Sequence, residues 1–154
     1  MTRTARPSVI GLAWRWGPAI AWATLIFALS AQPGLKVSSE ASVDGPVRHI
    51  AHVAVYALLA LLIVHGLGAL GRTLDRRTAL ITAALTIGYG VTDELHQAFV
   101  PERTANPVDI GYDAIGAGLG LAAAWAWGRV RARQAPVAPP ATGAGSDTPS
   151  TTTP

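Results

Sequence analysis

The 154-residue chain contains no cysteine, and only 14% of its residues are charged. The absence of cysteine excludes disulfide bonds, thiolate metal ligands and a thiol nucleophile. A Gly-rich phosphate loop after a strand and a His-Glu-x-x-His metal motif are also missing from the sequence. Lysine occurs once, at Lys36, so arginine carries almost all of the positive charge.

Four long apolar stretches make up most of the chain, at residues 14–31, 50–70, 79–100 and 110–127. Stretches of about 20 apolar residues are long enough to cross a bilayer, where the backbone must satisfy its hydrogen bonds within a helix or a closed barrel. The sequence therefore predicts an all-α fold, a bundle of four transmembrane helices in a multi-pass protein of the bacterial inner (plasma) membrane.

Three segments of different character follow from this pattern. Residues 1–13 form a short N-terminal segment, 14–128 the four-helix membrane domain, and 129–154 a basic stretch followed by a tail. Because the tail is rich in Pro, Ala and Thr without apolar periodicity, we expect it to be disordered. The segment 32–46, which contains Pro33-Gly34 and Gly45-Pro46, is predicted to be an irregular connector.

Basic residues concentrate on one side of the predicted spans. Three precede the first span, three lie between the second and third, and three follow the fourth: Arg3, Arg6, Arg15, Arg72, Arg76, Arg77, Arg129, Arg131 and Arg133. By the positive-inside rule, both termini should be cytoplasmic. Since this charge is explained by topology and contact with lipid headgroups, no nucleic-acid partner is expected.

Polar residues interrupt the second, third and fourth apolar stretches, in each case at the end that lies on the same side of the membrane. In the topology given above, this is the outer side. A charged side chain in the middle of a membrane helix costs about 3 kcal/mol, so such groups must pair, reach water or take up protons. Spacings of three and four residues also place them on common helix faces. We therefore predict an outward-facing polar pocket with the binding residues Arg48, His49, His52, Tyr56, Asp93, Glu94, Gln97, Arg103, Asp109 and Asp113.

An enzymatic interpretation remains open beside binding. Glu94, His96 and His52 are candidate general acid and base groups for a reaction on a lipid-linked envelope substrate. A metal-dependent version would use His49, His52, His96 and a carboxylate. Because Asp-Glu-x-His is not a metal motif by its spacing, no metal or other cofactor is expected.

A purely structural interpretation is the second alternative. Asp93 and Glu94 can serve as counterions of Arg103 and Arg48, which would fix helix register without any ligand. Transport is the least supported class, since the inner half of the third span offers only two threonines. The pair Gly116-x-x-x-Gly120 allows close helix contact, either within the chain or between two copies in a homo-oligomer.

The ordered polar motifs resemble the signature of the VanZ-like family of bacterial membrane proteins. The resemblance is carried by YGVTDELHQAFVPER at 89–103, followed by Asp109, Asp113 and GAGLG at 116–120. The segments HVAVY at 52–56 and SAQPG at 30–34 are similar to the family's second span and to the end of its first. The family's polar positions correspond to His52, Tyr56, Glu94, Gln97, Arg103, Asp109 and Asp113.

The resemblance implies a helical membrane domain linked to the cell envelope. The family's founding member accompanies glycopeptide resistance, notably to the lipid-tailed antibiotic teicoplanin, by an undefined mechanism. The implied partners are membrane lipids and either a lipoglycopeptide or a lipid-linked envelope precursor. This chain departs from the family at His49, where a lysine is common, and the neighbouring Arg48 is a candidate replacement for that charge.

Overall fold

Four helices account for most of the residues that the computed structural model describes, which are 8–34, 41–103 and 105–134. They are α1 (Val9–Ser30), α2 (Ala41–Gly66), α3 (Arg76–Gln97) and α4 (Pro107–Gln134). No strand occurs in these ranges, so the predicted all-α fold with four helices is confirmed. The predicted disordered tail beyond Gln134, residues 1–7 and residues 35–40 of the first loop lie outside the described residues.

Side-chain caps mark the start of α1 and of α3. The Ser8 hydroxyl accepts the backbone N–H of Gly11 at 3.1 Å, and the Asp75 carboxylate accepts that of Thr78 at 2.9 Å. Helix α2 begins earlier than expected, and the connector prediction is wrong for residues 41–46. Hydropathy missed these residues because a polar helical turn does not differ from a polar loop, and Pro46 lies inside the helix, where proline is normally a sign of its end.

The close contact of α2 with α4 is the main packing interface of the bundle. Gly116 and Gly120 are buried in it, and a methyl group at Gly116 would lie 2.5 Å from the Val53 carbonyl oxygen. A methyl group at Gly120 would similarly meet the backbone of Ala57. The Gly116/Gly120 face therefore packs against α2 within the chain.

Helix α1 packs along α2 and α3 through a smaller apolar core. Ala19 and Ile26 of α1 meet Tyr56, Leu59 and Ile63 of α2. The indole N–H of Trp22 on α1 donates to the Val55 carbonyl at 2.9 Å. These contacts fix α1 beside the polar end of α2.

Besides its apolar core, the bundle buries several polar side chains and exposes many large apolar ones. Thr82 and Thr86 are fully buried, whereas Phe99 is 87% and Ile50 is 69% exposed. Among the described helices, two are long and apolar enough to cross a membrane, Val9–Ser30 and Asp44–Gly66. Helices α3 and α4 do not meet the same criterion; their charged residues lie near the two ends of each helix. Together these features indicate membrane association.

Candidate functional site

A cavity of about 160 Å³ lies between α1, α2 and α3, at the end of the bundle where α1 ends and α2 begins. Apolar side chains form one part of its wall, namely Ile26, Leu29, Ala51 and Val55. As far as the structure describes it, the remaining wall is polar and comprises Ser30, Asp44, Arg48, His52, Tyr56, Asp93, Gln97 and Arg103. Six of the ten binding residues predicted from sequence thus border one space.

Asp93 is held by two side chains and links α1 to α3. The Ser30 hydroxyl donates to its Oδ1 at 2.6 Å, and the Gln97 amide donates to its Oδ2 at 2.9 Å. Both oxygens of this buried carboxylate are therefore occupied. Sequence reasoning did not select Ser30 as a site residue, although its position in the SAQPG motif at the end of the first apolar stretch was an available signal.

His52 and Asp113 form a close pair between α2 and α4. His52 Nδ1 lies 2.8 Å from Asp113 Oδ1, and Asp113 is only 1% exposed. With the carboxylate facing Nδ1, the proton of a neutral imidazole resides on that nitrogen and Nε2 keeps its lone pair. The ring is thus oriented as a ligand or a base through Nε2. Asp113 Oδ2 has no hydrogen-bond partner among the described residues.

Asp109 lies one helical turn before Asp113 and is equally buried. The nearest basic side chains are those of Arg48, with Nη2 at 3.5 Å from Oδ2, and His49, with Nε2 at 3.6 Å from Oδ1. These separations fit ion pairs but exceed good hydrogen-bond lengths. The His49 ring stacks on Tyr112 with centroids 4.1 Å apart. Tyr112 is a contact that sequence reasoning did not include.

Glu94 is satisfied on one side only. Its Oε2 accepts the backbone N–H of Asn106 at 2.8 Å, whereas Oε1 is buried without a hydrogen-bond partner among the described residues. Arg103 donates instead to the carbonyl oxygens of Leu29 at 3.1 Å and Gln32 at 3.2 Å, where its charge complements the C-terminus of α1. The arginines therefore have partners other than the counterion pairs considered from sequence.

The three histidines of the metal-dependent hypothesis are not brought to one point. His96 stacks on Phe27 of α1 with ring centroids 4.2 Å apart, and it does not border the cavity as described. His49 faces Tyr112 and Asp109. Within the described ranges, the group with a spacing suitable for a metal ion comprises His52, Glu94 and Asp109.

Two buried hydrogen-bond donors on the cavity wall have no partner in the described part of the chain. They are the Tyr56 hydroxyl and the Arg48 Nε–H group. Tyr56 is 1% exposed, and its ring lies between those of His52 and Tyr89. Because buried donors are nearly always satisfied in proteins, these two groups point to an acceptor that enters the cavity.

The site also has an excess of potential negative charge. Four carboxylates are no more than 5% exposed, those of Asp93, Glu94, Asp109 and Asp113. Of the two arginines on the cavity wall, Arg48 lies beside Asp109, and Arg103 donates to carbonyl groups at the end of α1. Burial of unpaired charge costs several kcal/mol per ion. Such a site therefore requires protons or a bound cation.

The fold and the site define a class of protein: a four-helix protein with an apolar outer surface and a layer of buried polar groups at one end. The sequence profile of the VanZ/LLP1 family matches residues 15–128, and the chain belongs to this family. No curated protein and no solved structure gives a significant match. The matched range includes all ten predicted binding residues.

Proposed function

We propose that the cavity binds the polar group of an amphiphile, either a cell-envelope lipid or a lipoglycopeptide of the teicoplanin type. The observation that carries the proposal is the pair of unsatisfied buried donors on its wall, the Tyr56 hydroxyl and Arg48 Nε. A phosphate or carboxylate oxygen would accept both hydrogen bonds, and an arginine favours such anions over neutral groups. Membership of the VanZ/LLP1 family supports a role at the envelope.

The size of the cavity limits what it encloses. Pockets that enclose a whole drug-sized ligand measure about 300–1,000 Å³, whereas this cavity measures about 160 Å³. Only the polar group of an amphiphile would enter it, and the apolar remainder would lie against exposed side chains such as Leu29 and Ile50. Binding would then sequester the antibiotic or change the envelope surface, and no covalent step is needed.

The proposal includes four membrane crossings with the cavity facing outward and both termini in the cytoplasm. Helix α3 has 22 residues and α4 has 28, and at 1.5 Å per residue they span about 33 and 42 Å, enough for a hydrocarbon layer of about 30 Å. Their buried carboxylates face other helices rather than lipid. At the opposite end of the bundle from the cavity, Arg72 and Arg131 are exposed, which supports this orientation.

The binding experiment compares two probes, teicoplanin and a long-chain lipid with a phosphate head, on purified protein in detergent. Tyr56→Phe removes the free hydroxyl and keeps the ring, and Tyr112→Phe is the matched control, because Tyr112 does not border the cavity as described. One hydrogen bond contributes about 1 kcal/mol, so Tyr56→Phe should weaken binding about fivefold. Arg48→Gln should weaken it more, since it also removes a charge.

The outcomes of this experiment separate the two sources of ligand. A loss for one probe alone identifies whether an envelope lipid or a lipoglycopeptide is bound. If neither probe stabilises the wild type, or if both bind Arg48→Gln and Tyr56→Phe as tightly as the wild type, the binding proposal is refuted. Arg77→Gln at the other end of α3 controls for loss of charge alone.

The His52–Asp113 pair favours one alternative, an acid/base enzyme acting on a lipid-linked envelope substrate. A carboxylate 2.8 Å from Nδ1 leaves Nε2 of His52 able to accept a proton at the cavity wall. Glu94 is close to this imidazole and can act as a second acid or base. Conversion of a labelled envelope lipid by the wild type and not by His52→Gln would establish this alternative, and retention without conversion would support binding.

A further inference from the structure

Three side chains from three helices converge beside the cavity. One ligand atom from each of His52 on α2, Glu94 on α3 and Asp109 on α4 lies within 4.8 Å of the others. We propose that these residues bind a divalent transition-metal ion, of which zinc is the best match. Glu94 and Asp109 do not border the cavity as described, so this site does not depend on amphiphile binding.

The donor set suits zinc or a similar first-row metal. Zinc accepts imidazole nitrogen and carboxylate oxygen at about 2.0–2.2 Å and often keeps an open fourth position. Imidazole nitrogen is a poor ligand for magnesium or calcium, which prefer oxygen. One histidine with two carboxylates therefore selects a transition metal, with an open position on the side of the cavity that His52 borders.

Asp113 supplies the supporting contact that such sites require. It lies 2.8 Å from Nδ1 of His52, which leaves Nε2 as the nitrogen for the ion. A carboxylate that binds the second nitrogen of a metal-ligating histidine recurs in metal sites, where it fixes the ring and raises its basicity. The Asp113–His52 pair is thus a positioning contact that the structure already contains.

The two carboxylates each keep an oxygen free for an ion. Glu94 is 5% exposed and Asp109 is 1% exposed, so both side chains are buried. Even so, Glu94 Oε1 and Asp109 Oδ1 have no hydrogen-bond partner in the described residues. Buried carboxylate oxygens normally accept several hydrogen bonds. A cation would satisfy both, and this distinguishes the site from a cluster of paired acidic residues.

Charge balance favours a cation of this valence over an apolar or anionic occupant. The four buried carboxylates carry four negative charges when ionised, and Arg48 and Arg103 supply two positive charges nearby. A divalent ion would neutralise the remainder when His49 and His52 are neutral and the carboxyl groups have lost their protons. Arg48 and His49 both approach Asp109, but at 3.5 and 3.6 Å they leave its oxygens without a close hydrogen bond. They can stay as outer partners of Asp109 when an ion is bound.

The ligand atoms must move slightly inward to hold an ion. Two ligands at 2.0–2.2 Å from a tetrahedral zinc lie about 3.3–3.6 Å apart, whereas the three ligand atoms here lie within 4.8 Å of one another. A shift of roughly 1 Å is within reach of the Glu94 side chain, because Oε1 has no contact to break. The backbone of α2, α3 and α4 can stay in place.

The test is a titration of the chelator-treated protein in detergent with Zn²⁺ alone, with a tag that contains no histidine. Wild-type protein should take up about one equivalent of zinc and unfold at a higher temperature with zinc than without. Glu94→Gln and Asp109→Asn should lose both effects. Asp113→Asn should keep the site and weaken its affinity about 10- to 100-fold, as expected for a supporting contact.

Asp93→Asn is the matched control for these variants. Asp93 is as buried as Glu94 and precedes it on α3, yet both of its oxygens are already bonded and it is not among the converging residues. It should bind zinc as the wild type does. The proposal is overturned if wild-type protein binds no stoichiometric zinc, or if Glu94→Gln and Asp109→Asn bind it unchanged.

Cobalt gives a readout that does not depend on the folding of any variant. Co²⁺ bound to the wild type should show absorption typical of four or five nitrogen and oxygen ligands, and zinc should displace it. A spectrum of six-coordinate, hydrated cobalt would mean that no protein site exists. Retained lipid binding in that case would leave the proposed function intact, so the two proposals fail separately.

Discussion

The contact of Gly116 with α2 gives the sharpest prediction about how the fold holds the site together. In Gly116→Ala, the new methyl group would lie 2.5 Å from the Val53 carbonyl oxygen and 3.1 Å from Tyr56 Cβ. Ordinary van der Waals contact begins near 3.4 Å, so α2 and α4 would have to separate by roughly 1 Å. The nearest obstacle is a backbone carbonyl, which cannot rotate away as a side chain can.

The expected magnitude follows from two opposing terms. Replacing a helical glycine with alanine gains up to about 1 kcal/mol from helix propensity, whereas overpacking of an interface costs about 1–3 kcal/mol. Gly118→Ala is the matched control, because a methyl group there would meet nothing within 4 Å. Gly118→Ala should therefore be neutral or stabilising, and Gly116→Ala should be less stable than this control by about 1–3 kcal/mol.

A second readout connects this packing to the site. The His52–Asp113 bond joins the same two helices at 2.8 Å, and a separation of about 1 Å would exceed hydrogen-bond length. Thermal unfolding in detergent measures stability, and imidazole NMR shifts of His52 report the hydrogen bond. Equal stability of Gly116→Ala and Gly118→Ala with an unchanged His52 signal would refute the packing of α2 on α4 described above.

Two further predictions concern topology and pH. In the cysteine-free chain, an impermeant thiol reagent added to intact cells should label Ser38→Cys but not Thr73→Cys, and labelling of Thr73→Cys from outside would reverse the proposed orientation. The backbone N–H of Thr78 and, to a smaller extent, its hydroxyl donate hydrogen bonds to the Asp75 carboxylate, and these bonds lower the pKa of Asp75 below its ordinary value. The contribution of the ionised Asp75 to the free energy of unfolding should be complete above the ordinary carboxyl pKa. It should disappear as the pH falls through the lowered pKa of the folded state. Thermal unfolding should show this acid loss in the wild type relative to Asp75→Asn, which keeps the cap, and parallel pH profiles would contradict it.

Much of the architecture could be predicted from hydropathy and helical spacing. Each of the four apolar stretches lies largely within one helix, although the helices extend past them at polar ends such as 41–49 and 128–134. The spacing of three between His49 and His52 and of four between Asp109 and Asp113 matches the observed pairing of these residues across α2 and α4. Spacing succeeds here because residues one turn apart on one helix meet residues one turn apart on its neighbour.

The pairing of individual charges could not be predicted in the same way. Arg103 was a candidate ligand or counterion, yet its guanidinium donates to two carbonyl groups at the end of α1. His96 shares a helix face with Asp93 by spacing, yet its ring stacks on Phe27. Partner choice depends on the rotation of each helix about its axis and on which neighbour it meets, and neither is encoded in the spacing along one helix.

The neighbouring residues Asp93 and Glu94 illustrate how structure can separate a supporting polar group from a ligand-binding one. They are equivalent in sequence terms, since both are acidic and stand side by side at the polar end of α3. Asp93 turns towards Ser30 and Gln97, and both of its oxygens are bonded there, whereas Glu94 turns towards α4 and keeps Oε1 free. A buried carboxylate oxygen without a hydrogen-bond partner is destabilising unless something binds to it. Asp93 therefore attaches α1 to α3, whereas Glu94 has an oxygen available for the proposed metal ion.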